Sequence, residues 1–178
     1  MIIDKLVDII ATELALNPAR VNIYNQKFKI PTDDGIFVSV AFLGSKAYRA
    51  TTKTQDDGEA PTVDFQEYKE INTQEMYSIK IMSRSTDALS RKEEILGALV
   101  SQYAQGVMEA NGFKIARLPT NFIDISEVEA SARLYAFAIT VVVLAAYKIN
   151  KQVPYYDNFD GQISNEQITQ VQFEQDVP

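Results

Sequence analysis

Histidine, cysteine and tryptophan are all absent from this 178-residue chain. Without cysteine there are no disulfides and no thiolate metal ligands, which fits a reducing compartment. The lack of histidine weighs more on function, because imidazole is the commonest general base near neutral pH and a frequent zinc ligand. Ser-His and Cys-His nucleophilic catalysis and nearly all zinc chemistry are therefore excluded. Any enzyme built here would rely on carboxylates, lysine or tyrosine, so the expectation is no enzyme, no cofactor and no metal. The seven glycines are dispersed, and neither a phosphate loop nor a dinucleotide fingerprint occurs. Basic charge is also short: 17 Lys and Arg stand against 24 Asp and Glu, for a net charge of -7. No basic run exceeds Arg91-Lys92. A duplex-binding surface needs clustered cations to displace counterions, so tight nucleic-acid binding is not expected. The longest apolar stretch, Leu134 to Tyr147, is interrupted only by Thr140 and falls short of the roughly 20 residues a helix needs to cross a bilayer. The start, Met1-Ile2-Ile3-Asp4-Lys5, lacks the basic opening and apolar core of a signal peptide.

What is present describes one globular domain. Hydrophobic residues make up 46% and charged residues 23%, and a chain of this size buries roughly 70% of its unfolded surface. Ile3, Leu6, Val7, Ile10 and Leu14 recur at helical spacing, and Asn17-Pro18 ends that helix because proline cannot continue the hydrogen-bond ladder. Pro31-Thr32-Asp33-Asp34-Gly35 is a dense turn signal, followed by a strand from Ile36 to Leu43 that is apolar on both faces. The polar segment 51–62 reads as a loop or hairpin tip. Strand character resumes at Val63 and runs to Met82, with Tyr77, Ile79 and Ile81 on one face. A single helix is expected over 86–111. Ser85, Thr86 or Asp87 would cap it, Ser90 with Glu93 would form a capping box, and Gly112 would stop it. A brief strand at Phe113–Ala116 and a long one from about Arg133 to 149 complete the order. The long strand is apolar on both parities and so belongs inside the sheet. The expected fold is α+β: a mainly antiparallel sheet of about four to six strands packed by two main helices, with an extended C-terminal arm.

Residues 154–178 differ from the rest, with five acidic residues and no Lys or Arg. Tyr155, Tyr156, Phe159, Ile163, Ile168, Val171 and Phe173 are spread among polar residues. The division is thus a domain over 1–153 and an acidic arm over 154–178. That arm either orders on a neighbouring subunit, adding a strand near 171–173, or is a disordered end.

Candidate ion sites are weak. In Tyr156-Asp157-Asn158-Phe159-Asp160-Gly161, an EF-hand alignment puts Tyr156 at the first ligand and Gln167 at the last. Asp33-Asp34-Gly35 and Asp56-Asp57-Gly58 match what turns use for local hydrogen bonds. Glu127 and Glu129 are two apart, as in a glycosidase pair, yet no tryptophan offers a sugar platform.

Two stretches carry a resemblance. Ser83-Arg84-Ser85-Thr86-Asp87-Ala88-Leu89 leads into 93–105, and Leu118-Pro119-Thr120-Asn121-Phe122-Ile123-Asp124 leads through Glu127-Val128-Glu129 to Arg133-Leu134-Tyr135-Ala136-Phe137. Together they resemble tailed-phage neck and tail-terminator proteins, a LIC-type neck-terminator family of myoviruses and prophages. The resemblance spans about residues 3 to 150 and rests on diffuse patterns rather than on invariant chemistry. Relatives are glycine-rich after the second glutamate, where this chain has Ala130-Ser131. The resemblance implies a hexameric ring that closes the tail tube and joins it to the neck, in a virion assembled in the host cytoplasm. The partners it implies are further copies of the chain, the tail-tube protein, a neck or head-completion protein and the sheath. DNA would pass through the lumen without specific binding, and no membrane is involved. It carries over no catalytic residues. Closing a ring needs complementary surfaces on opposite sides of each subunit. Arg84, Arg91 and Arg133 against Glu127 and Glu129 are the candidates for that contact, or else ordinary surface charges. The alternatives are another neck or tail-tube structural subunit such as a stopper, and a carboxylate-dependent enzyme or binding module.

Overall fold

A computed structural model describes residues 1–24, 31–56, 65–119, 121–129 and 132–153. The chain begins with helix α1 (Ile2–Glu13), whose Ile3, Leu6, Ile9 and Ile10 are buried. Ile9 is fully buried although it lies outside the stripe that the heptad-like spacing marks. The helix ends at Glu13, four residues before Asn17, and Ala15 just beyond it holds a positive φ of 50°. Pro18–Arg20 then forms a 3-10 turn, closed by the Asn17 side chain accepting from the Ala19 N–H at 2.9 Å. The acidic turn before the next strand uses Asp33 as expected: its carboxylate accepts from the Gly35 N–H at 2.8 Å and pairs with Arg20 at 2.6 Å.

The sheet runs in the order β1 (Val21–Ile23), β2 (Phe37–Asp56), β3 (Phe65–Ser83), β7 (Ala132–Val153), β4 (Phe113–Arg117). Two short segments, β5 (Ile123–Asp124) and β6 (Glu127–Glu129), also pair with β7. Only β1 with β2 is parallel; the other pairings are antiparallel. The fold is α+β. Its long C-terminal strand is interior, as its two apolar parities require.

One face of the sheet carries the helices. Val38 and Val40 of β2, Ile79 and Ile81 of β3, and Phe137, Ile139, Val141 and Val143 of β7 meet α1 and the later helices there. Each fully buried Leu, Ile or Val of that layer contributes about 1.5–3 kcal/mol relative to exposure.

Two corrections follow from the structure. The segment 86–111 is not one helix but three: α2 (Asp87–Arg91), α3 (Glu94–Val100) and α4 (Gln102–Ala110). Ser101 breaks it by turning extended (φ -61°, ψ 159°), and its hydroxyl caps α4 by accepting from the Ala104 N–H at 3.0 Å. The expected Ser90–Glu93 box does not form, because the Ser90 hydroxyl donates back to the Asp87 carbonyl. Gly112 does end α4 in the left-handed region, at φ +66°. The second correction concerns 51–56, which continues β2 as strand rather than opening a loop.

Candidate assembly surface and a buried carboxylate

Strands β2, β3 and β7 have 20, 19 and 22 residues, far more than the helical layer covers. At about 3.3 Å per residue they run for roughly 60 Å. Beyond Val143 the three form a ribbon, called here the arm. Its chief exposed apolar side chains are Tyr48, Tyr147 and Ile149, and exposed Leu43 stands at its base. Among the described residues, no strand pairs with the outer side of β2 past Val40 or with the outer side of β7 past Ala145. Unpaired strand edges of that length are templates for another chain.

Strand β2 is bulged twice, between Phe42 and Gly44 and between Ala47 and Arg49. Leu43 and Tyr48 are the residues left without a partner in β3, and they are 54% and 56% exposed. A bulge bends the strand and re-aims the extra side chain. Both bulges thereby put a large apolar group on the open-edge strand.

Register also sorts the arm's charges. Residues directly opposite share a face, so Lys46 with Gln74, Arg49 with Asn72, Lys53 with Tyr68, and Lys148 with Glu70 lie on the face away from the helices. Among the described residues that stretch holds these four cations and one acid, on a chain whose net charge is -7.

The candidate interface residues fall elsewhere. Arg84 follows the end of β3, whose Ser83 pairs with Tyr135; Glu127 is opposite Leu134 and Val128 is opposite Arg133. Arg84, Glu127 and Arg133 thus gather at the end of the sheet remote from the arm tip. The register puts Arg133 on the face of Val128, opposite to the face of Glu127. Arg133 stacks on the Tyr135 ring at 4.9 Å. Arg91, the last residue of α2, is held by Glu94, the first of α3, with nitrogen–oxygen distances of 2.7 to 2.9 Å, and this bond raises its pKa above the ordinary value. The backbone of Glu129 pairs with Ala132. The seven apolar residues of the C-terminal arm, Tyr155 to Phe173, lie outside the described residues, as does Ala130-Ser131.

Where the arm leaves the helices, a charged side chain sits inside. Glu75 is 6% exposed. It accepts hydrogen bonds from the Tyr77 hydroxyl, from the Tyr147 hydroxyl at 2.5 Å and from Thr73 at 3.4 Å. Burial, and after it the bond to Glu75, raises the pKa of Tyr77 and pushes that of Tyr147 up to about 12. A cleft of about 630 Å³ opens beside the carboxylate. Local sequence pattern does not single out Glu75, although it shares the parity of Tyr77, Ile79 and Ile81. A charge on an otherwise apolar parity was the available signal.

Among the described residues there is no cluster of three potential metal ligands, and no helix is long and apolar enough to cross a membrane. Comparison of the chain with protein-family models and with curated proteins finds no match.

Proposed function

We propose that this chain is a structural virion subunit, a ring-forming tail terminator that caps the tail tube and connects it to the neck and head-completion proteins. The observation that carries this reading is the arm: a long ribbon whose two edges are unpaired among the described residues, with Tyr48 turned out of β2 by one bulge and Leu43 turned out at its base by the other. A lone subunit gains nothing from holding such a ribbon in water, whereas a ring of copies covers it. The two edges belong to different strands, so a contact from the β2 side of one copy to the β7 side of the next is head-to-tail. Such contacts close into a ring when the rotation divides a circle. The basic stretch on the arm suits the acidic residues 154–178 of a neighbouring copy, which carry five acids and no Lys or Arg. The resemblance in the segments around 83–89 and 118–137 points the same way.

Native mass spectrometry and electron microscopy of the purified chain, alone and with tail tubes, test the proposal. Closed rings of six copies, or rings that form only on tube ends, are expected. Long stacks would assign the chain to the tube itself, and a monomer that ignores tube ends would remove the assembly reading. The Glu75 cleft is the one observation on the side of a binding module. Among the described residues only one acid lines it, so a paired-carboxylate mechanism has no second member there.

A further inference from the structure

The cleft beside Glu75 is walled by side chains from α1, from β1 and the residue after it, and from the base of the arm. Ile2, Ile3 and Ile23 give it apolar surface, and Tyr24, Phe42, Tyr77 and Tyr147 give it aromatic surface. Phe42 and Tyr77 stand edge to face, with centroids 5.6 Å apart. Lys5 and the Met1 end also border it. The Met1 ammonium is engaged by Asp4 at 3.0 Å. Among the described residues, no cation pairs with Glu75.

Three features of this carboxylate select a ligand class. Among the described residues, every hydrogen bond to the Glu75 carboxylate comes from a hydroxyl, and none comes from a cation. A carboxylate offers about four lone-pair sites, and three donors leave acceptor capacity unused. A buried charge is costly unless it is paired, and the partners among the described residues are neutral hydroxyls. The surrounding rings present electron-rich faces, which attract organic cations. An anion would meet the carboxylate, and a neutral molecule would leave the charge uncompensated.

We infer that this cleft binds a primary alkylammonium group, with the nitrogen on the Glu75 carboxylate and the alkyl chain against Phe42, Ile23 and α1. The same chemistry is offered by a free aliphatic amine and by a lysine side chain of a peptide. The site stands whether or not the chain forms rings.

Isothermal titration of the full chain with n-pentylammonium tests it, beside n-pentanol and n-pentanoate as neutral and anionic isosteres. Pentylammonium is expected to bind at least tenfold more tightly than either isostere. Glu75→Gln, which keeps the shape and removes the charge, should weaken it at least tenfold. Phe42 is 53% exposed, so Phe42→Ala should fold and weaken binding several-fold, which covers the case of an unfolded Glu75→Gln. Pentane-1,5-diammonium and an acetylated Gly-Lys-Gly amide separate the two sources: tighter binding of the first assigns a free amine, tighter binding of the second a peptide lysine. No heat with any ammonium probe, equal binding of pentanol, or unchanged affinity in Phe42→Ala and in a folded Glu75→Gln would overturn the inference.

Discussion

Tyr77 and Tyr147 show how one buried acid reorganises its neighbours. Each donates its hydroxyl to Glu75, so losing the proton would set two negative charges against each other. Their folded pKa values are raised above the unfolded value of 10.0, to about 12 for Tyr147. A folded state that holds a proton more tightly than the unfolded state gains stability below the unfolded pKa. That gain is complete below about pH 10 and is lost as pH rises through the folded value. Absorbance titration of the phenolates should therefore show two of the nine tyrosines lagging the rest. In Tyr147→Phe one laggard should vanish, and the stability lost between pH 10 and 12 should shrink. A titration in which all tyrosines ionise together near pH 10 would remove the network.

Among the elements, the helical layer departs most from the local signal. An unbroken helix over 86–111 would span about 39 Å in a straight line. The break at Ser101 instead lets both α3 and α4 pack on α1 while α4 also meets β4. Apolar spacing did not distinguish the two outcomes, because Leu96, Leu99 and Val100 before the break and Ala104 and Val107 after it keep nearly the same phase. A serine there is neutral within a helix and favourable as a cap, and only packing decides between the roles. Ser101→Ala should cost about 1 kcal/mol in chemical denaturation, the usual value of a lost cap, where a plain interior position would gain slightly. Leu6 is fully buried in α1 against the sheet, and Leu6→Ala should cost about 2–5 kcal/mol by the same measurement. In β2, strand and loop look alike in sequence over 51–56 because Thr51, Thr52, Lys53 and Thr54 are polar on both parities. A strand away from the core has no buried face to impose alternation.

At the scale of the whole molecule, the expected consequence of the arm is assembly. Replacing Leu43 and Tyr48 together with lysine should leave the melting temperature within a few degrees, since both are more than half exposed, and should abolish ring formation in electron micrographs. Removing residues 154–178 should weaken assembly while circular dichroism of 1–153 stays native-like. Unchanged assembly would discard the role proposed for that segment. Ion pairing to the arm makes the effect salt-sensitive, so the comparison belongs at low and high ionic strength.

The amino-acid sequence by itself settled the missing chemistry, since no fold supplies an imidazole or a thiol that the chain does not encode. It also settled the buried parity of β3 around Tyr77, Ile79 and Ile81 and the class of fold, because alternation and helical spacing are properties of near neighbours. Tertiary structure alone decided that Glu75 and Tyr147, 72 residues apart, share a hydrogen bond. The same holds for the two bulges that turn Leu43 and Tyr48 outward, and for the gathering of Arg84, Glu127 and Arg133 at one end. Register between strands sets all three, and it depends on pairing across long loops that local pattern does not encode.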